Sequence, residues 1–279
     1  MKSEWLVGAS GLFYGTHGGG WSKVGLAAFP SNAILCRKSG VVVGTEGGLW
    51  QVQGERWIQW HDETMTLVLG LVAADVGLGV VVASAYGIAT GSLDENDVPR
   101  WQWHSDDLKV NARYSNVVVV DPNDGKRWLV GTEAGVWVCE DRGKRWTESS
   151  LVDCSVRALI WDHDSFWAGA DCGGIWQSED GVDWKSVGAG LEKTPVYSLA
   201  FAGDRLVAGT EQGIVMGDGV GHWSFVGPAV RMCAVNASDS VWLAGASPGG
   251  LWFSENLGGS WQKTGDFNRV QVIVPAEGT

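Results

Sequence analysis

Short runs of apolar residues, rich in valine, leucine and alanine, recur along the whole chain and are broken by turns that carry glycine. Such runs bounded by turn residues read as strands. One family of them comprises "NAILCR", "LGLVAAD", "NVVVVD", "VRALIWD", "VYSLAFA", "VRMCAVN" and "VQVIVPA". A second ends in a small residue beside a glycine: "LVGAS", "VVGTE", "VVASA", "LVGTE", "WAGAD", "VAGTE" and "LAGAS". A glycine turn, a third strand and a tryptophan opening a fourth strand complete each unit. Those tryptophans are Trp21, Trp57, Trp101, Trp146, Trp184, Trp223 and Trp261, separated by 36, 44, 45, 38, 39 and 38 residues. That is the period of four short strands with their turns.

The chain starts on a second-type strand, "EWLVGAS", and its last strand, "VQVIVPA", is of the first type. The pattern therefore predicts an all-β, seven-bladed β-propeller with four antiparallel strands per blade. The C-terminal strand joins the N-terminal blade and closes the ring, which removes an open sheet edge. An open solenoid would not explain a terminal strand that completes the first unit. Residues 1–279 are expected to form a single propeller domain.

Composition agrees with this reading and limits partners. The 41 glycines and 18 tryptophans against 7 prolines suit many strands and tight turns. A net charge of −12 disfavours nucleic acid. No run of apolar residues long enough to span a membrane occurs, so no membrane insertion is expected. The opening "MKSEWLVGAS" lacks the basic end and apolar core of a secretory signal. Five scattered cysteines, Cys36, Cys139, Cys154, Cys172 and Cys233, suit buried reduced thiols in a cytoplasmic protein better than a disulfide framework or a metal site.

The turns before the fourth strands share a pattern. "CEDRGKRW" (139–146), "SENLGGSW" (254–261), "SEDGVDW" (178–184) and "MGDGVGHW" (216–223) each approach Ser-x-Asp-x-Gly-x-x-Trp. Here the sequence resembles the Asp-box (BNR-repeat) propellers, a group that includes sialidases, xyloglucan-cleaving glycosidases, sortilin-type receptors and the photosystem II assembly factor. Cys139 replaces the serine, Asn256 replaces the aspartate, and the 178–184 copy is one residue short. The resemblance implies that the box lies on the face opposite the binding site. Asp141 and Asp180 are accordingly expected to bond backbone amides within their own turns, and the recurring tryptophans to pack blade against blade. Trp60 and Trp103, outside the rows, are the aromatic residues expected to be exposed.

Chemistry is then expected at the other face. Two residues after the repeat glycine, or after Ala83 in its place in blade three, stand Ser10, Glu46, Ala85, Glu133, Asp171, Glu211 and Ser247. Near the start of the first strands stand Asn32, Asn116, Arg157, Tyr197, Arg231 and Gln271, with blade three ambiguous around Gly70. Spacings of 14 to 17 residues place the columns side by side and pair Asn116 with Glu133, Arg157 with Asp171 and Tyr197 with Glu211. Glu46, Asn116, Glu133, Arg157, Asp171, Tyr197, Glu211, Arg231 and Gln271 are thus the candidate ligand-binding residues of an acidic channel mouth. A purely structural alternative has the arginines neutralising the acids and holding the blades in register. The link "HSDDLKVNARY" (104–114), with His104, Asp106, Asp107 and Arg113, is either a lid over this mouth or an ordinary solvated loop.

Two classes of function remain. A non-catalytic binding or assembly propeller would hold a partner protein or small polar ligand at the mouth. A glycosidase or lyase would use the same place, with Glu133, Asp171, Glu211 and Tyr197 as candidate catalytic groups. Sialidase chemistry, as the resemblance implies it, needs three arginines, for which Arg157, Arg231 and Arg269 are available, but the usual N-terminal arginine motif is missing. A multivalent sugar lectin is the third option. No cofactor and no metal are expected: "WHDET" (60–64) offers His61 beside two acids, too little for a ligand set, and nucleotide-binding and serine-hydrolase motifs are absent.

Overall fold

The computed structural model describes residues 4–25, 29–162, 164–219, 221–237 and 240–276. The first three residues of the opening stretch, on which the expectation of no secretory signal partly rests, lie outside them. The strands form seven four-stranded antiparallel sheets. Six take their strands in chain order, with inner strands Ser31–Arg37, Val68–Ala73, Ser115–Val120, Val156–Asp162, Val196–Ala202 and Met232–Ala237. In the remaining sheet Val272–Pro275 pairs with Glu4–Gly8, setting Trp5 opposite Pro275 and Gly8 opposite Val272. Inner strands of neighbouring sheets lie against one another around the whole circle. The result is the seven-bladed propeller that the repeat predicts. No helix among the described residues is long and apolar enough to cross a membrane.

Burial explains why the second strands read as continuous apolar runs. Val80–Ser84, Trp128–Thr132, Ser165–Ala170 and Trp242–Ala246 are buried at every position, because each blade is covered on both faces by its neighbours. The core is divided among the junctions between blades. Trp128 and Trp137 pack on Val81 and Ile88 at one, and Phe166 and Trp184 on Leu129 and Val136 at the next.

The fourth-strand tryptophans do more than fill space. Trp57 Nε1 donates to Val24 O (3.0 Å), Trp101 to Trp60 O (2.7 Å), Trp223 to Val187 O (2.8 Å) and Trp261 to Val226 O (2.6 Å). Trp146 donates in the same way to His104 O. Each acceptor lies just beyond the last strand of the preceding blade, so one side chain couples apolar packing to a directed bond across the junction. Trp184 is different, since it donates to Gly181 O in its own turn (2.8 Å). Blades four and five are joined there by Ser150, whose N–H donates to Val182 O and whose hydroxyl accepts from Trp184 N, both at 2.8 Å. Trp60 and Trp103 are not the free aromatic residues expected. Both pack against the cluster at the second junction, and Trp103 Nε1 donates to Thr64 Oγ1 (3.2 Å).

The box turns fasten themselves. Ser178 Oγ and Ser254 Oγ accept from the glycine amides of Gly181 and Gly258 (2.9 Å each), and Cys139 Sγ does the same for Gly143 (2.9 Å). Asp180 accepts from Val182 and Asp183 N–H, Asp141 from Arg145 N–H, and Asn256 from Ser260 N–H, at 2.8 to 2.9 Å. The Cys139 thiol and the Arg145 side chain hold the Asp141 carboxyl down at about 2.

The cysteines depart from the expected set of reduced thiols. A disulfide joins Cys154 to Cys172, while Cys36, Cys139 and Cys233 are free. The reason is local: the three-residue link after Thr147–Val152 runs against the turn following Ser165–Ala170, and Asp171 N–H donates to Ser155 O (2.9 Å). In blades two, four and six the equivalent turn is bracketed by a hydroxyl. Thr45, Thr132 and Thr210 donate to the carbonyls of Gly48, Gly135 and Gly213 (2.9 Å each) and accept a turn amide in return. The glycine is required: Gly135 has φ +122°, and a Cβ there would stand 2.1 Å from Leu151 O. Alanine stands at the hydroxyl position in blades one, five and seven (Ala9, Ala170 and Ala246), and in blade five the disulfide ties the turn.

Candidate functional site at the channel mouth

Inner strands approach the axis, and in six blades the ladder to the second strand skips one residue: Asn32, Leu69, Asn116, Arg157, Tyr197 and Cys233. A bulge leaves its extra residue unpaired and re-aims the side chain. All six, with Gln271 of the closing strand, line one cavity of about 580 Å³ at the mouth. Tyr114, Asp171, Arg231, Ser247 and Arg269 complete the lining that bears on its chemistry.

The acids sit one residue outside the second strands. Glu46, Glu133 and Glu211 N–H groups donate to the carbonyls of Pro30, Tyr114 and Pro195 at 3.0 to 3.2 Å, so each carboxylate is carried on a turn pinned to the preceding link. Arg157 lies between two of these turns. Its Nη2 donates to Asp171 Oδ2 (2.9 Å), its Nε to both Asp171 oxygens (3.3 Å each), and its Nη1 to Glu133 Oε1 (2.8 Å). Asn116 Nδ2 donates to the same Glu133 oxygen and to Val156 O of the next blade (3.1 Å each), and the Ser155 hydroxyl donates to Glu133 Oε2. Burial alone would lower the Arg157 guanidinium, but the Asp171 hydrogen bond and the charges of Asp171 and Glu133 outweigh it and raise it.

Across the mouth Tyr197 Oη donates to Glu211 Oε2 (2.5 Å). Arg231 Nε lies 3.3 Å from that oxygen, and its guanidinium carbon is 4.6 Å from the centre of the Tyr197 ring. Arg269 Nη1 is 3.7 Å from Glu46 Oε1. Burial and the Glu211 hydrogen bond push the Tyr197 phenol up to about 12. It should therefore stay protonated well past its ordinary value of 10.0, ionising only as pH approaches 12. The phenolate absorbance titration of the protein minus that of Tyr197→Phe should be flat until then; a difference already present at the ordinary value would refute the pairing.

Four carboxylates thus meet three guanidinium groups, and the mouth is nearly balanced rather than acidic. Asn116–Glu133, Arg157–Asp171 and Tyr197–Glu211 are in contact, as the spacing predicts. Arg231 is displaced from its column: Cys233 occupies the bulge, and Arg231 stands two residues earlier, where blade one has Arg269. In blade three the bulge residue is Leu69, not Gly70. Tyr114, read from the sequence only as part of the 104–114 link, belongs to the rim itself, and its signal is the same position, two residues before a bulge.

The link 104–114 does not cover the mouth. Leu108 and Ala112 are buried between blades three and four. His104 bonds Thr90 Oγ1 (2.7 Å), and Arg113 donates to the carbonyls of Leu108 and Asp106 within the loop. His104, Asp106 and Asp107 line a separate cleft with Lys144, and only Tyr114 reaches the mouth. His61 bonds Leu49 O in its own blade (2.8 Å), and the described residues hold no group of three potential metal ligands.

No protein-family model and no curated protein matches the chain. Solved structures do. The extracellular domain of a protein taken to be a hybrid two-component system of B. thetaiotaomicron superposes with a TM-score of 0.71 at 16% identity, over 87% of this chain and 35% of that one. The GH74 xyloglucanase of Xanthomonas campestris gives 0.65 at 18% identity, over 92% and 46%. The computationally designed Ika8 protein gives 0.63 at 15% identity, over 98% and 90%. The chain spans only about a third of the first of these, 35% of its length. At such identities the similarity is one of fold, and what this chain shares with that extracellular domain, the xyloglucanase and the designed protein is the β-propeller architecture.

Proposed function

We propose that this protein is a non-catalytic binding propeller of the Asp-box kind, holding a small polar ligand or a segment of a partner protein at the channel mouth. One observation carries this: each mouth carboxylate already has a guanidinium beside it, at 2.8 Å for Glu133, 2.9 Å for Asp171, 3.3 Å for Glu211 and 3.7 Å for Glu46. A glycosidase needs one carboxyl that keeps its proton until the leaving group takes it. Here both oxygens of Glu133 and of Asp171 are already taken by Arg157, Asn116 and Ser155 instead of facing an open substrate position.

The enzyme alternative stays in view because a glycoside hydrolase is among the structures of similar fold. The lectin reading is disfavoured by the mouth-lining positions, which are chemically unequal and offer no repeated sugar subsite. The Cys154–Cys172 bridge argues for an oxidising compartment in place of the cytoplasmic one. Single changes Glu133→Gln, Asp171→Asn and Glu211→Gln, with folding verified by near-ultraviolet circular dichroism, separate the classes. Weakened capture of ligand or partner without any turnover to lose is the expected result. Turnover on a glycan substrate that one of these changes abolishes would establish the enzyme, and multivalent binding on a glycan array would establish the lectin.

A further inference from the structure

The two sides of the mouth are not equivalent in what their arginines have left to offer. Arg157 is spent, with its Nε, Nη1 and Nη2 all donating to Glu133 or Asp171. Arg231 and Arg269 line the same cavity with about half of each side chain exposed (47% and 50%). Their ion pairs are looser, 3.3 Å to Glu211 and 3.7 Å to Glu46. They occupy equivalent positions in adjacent blades, and Arg231 is seated on the Tyr197 ring. A pre-oriented guanidinium of this kind loses little freedom when it takes an anion.

A second observation points to the same cavity. Asn32 is 9% exposed and donates through Nδ2 to Val68 O (3.2 Å), but its Oδ1 is buried with no hydrogen-bond partner. A buried acceptor left unsatisfied calls for a donor. Asn32 lines the cavity beside Gln271 and Arg269, which belong to the neighbouring blade.

We infer that the mouth contains an anion subsite between Arg231 and Arg269, and that its ligand is a small hydroxylated carboxylate. The acid group lies on the two guanidinium groups, and a hydroxyl donates to Asn32 Oδ1. Gln271 and Ser247, on the same wall, supply neutral polar contacts. The inference rests on the mouth being a ligand site, and it separates Arg231 from Arg157, which the sequence offered together as ligand-binding candidates. Arg157 instead shapes the opposite wall by fixing Glu133 and Asp171.

Glucuronate and glucose make a matched pair of probes, alike except for the carboxylate. In protein labelled with nitrogen-15 at arginine, glucuronate should move the Nε signals of Arg231 and Arg269 and leave that of Arg157 in place, while glucose moves none of them. Arg231→Ala and Arg269→Ala should each weaken glucuronate binding about tenfold or more, the loss of one charge-assisted contact. Arg269→Lys, which keeps the charge, should recover part of the loss. Equal responses to glucose and glucuronate would overturn the anion subsite and leave the mouth as a binding site. A shift at Arg157 alone would overturn its location, and no response to either probe would overturn the ligand class while leaving partner capture as the separate test of the mouth.

Discussion

Deleting residues 272–279 should abolish the cooperative fold, although it removes only one short strand and a few residues after it. Val272–Pro275 is the inner strand of blade one, with Ile273 4% exposed and Val272 and Val274 packed at the junctions with their neighbours. Burial of such side chains is worth about 1.5 to 3 kcal/mol each. Their loss would also bare an edge along Glu4–Gly8, where Trp5 and Val7 are at most 1% exposed. Together these terms take up most of a typical stability of about 5 to 15 kcal/mol. Expression of the truncated chain, followed by size-exclusion chromatography and near-ultraviolet circular dichroism of the tryptophans, reads the outcome. A soluble monomer with the intact protein's spectrum would show that the ring does not depend on its closing strand.

The second large effect is expected at Cys154 and Cys172. Replacing both by alanine should cost about 3 kcal/mol, the magnitude for a closed loop near this length, here a separation of 18 residues. The loss should be greater than the chain-entropy value if the Asp171 turn loosens in the folded state, since Ala170 offers no hydroxyl bracket. Denaturant midpoints with and without reductant measure it: the intact protein should fall towards the variant when reduced, and the variant should not respond. A variant as stable as the parent would mean that the turn is held by the Asp171 N–H to Ser155 O bond and the Arg157 pair alone.

Legibility in the sequence followed the distance over which each feature is determined. The blades were legible because every unit repeats the same local problem, and the terminal strand types disclosed the closure. Three rim contacts were legible because the 14-to-17-residue spacing of first and second strands sets two columns side by side. The bulges were not, since an extra residue in a ladder leaves apolar alternation almost unchanged while moving the inward position by one or two places. That is why Arg231 was placed where Cys233 stands and why Leu69 was missed. The disulfide depended on a short link meeting a turn in space, and odd cysteine count gave no hint of it. The anchoring of 104–114 could have been suspected from Leu108 and Ala112, two of the three aliphatic residues in a mainly polar link, the third being the exposed Val110.

The tryptophan bonds between blades run one way around most of the ring, each blade donating to the link that follows the blade before it. Damage to such a link is therefore inherited by its successor: a change near Val187, at the end of blade five, robs Trp223 of blade six, while Trp184 in blade five keeps its own bond. The ring has an upstream and a downstream. Trp21 of blade one keeps the sense but reaches a side chain, Thr264 Oγ1 of blade seven (3.4 Å). Between blades four and five, where Trp184 bonds within its own blade, the backbone and a covalent bridge take over.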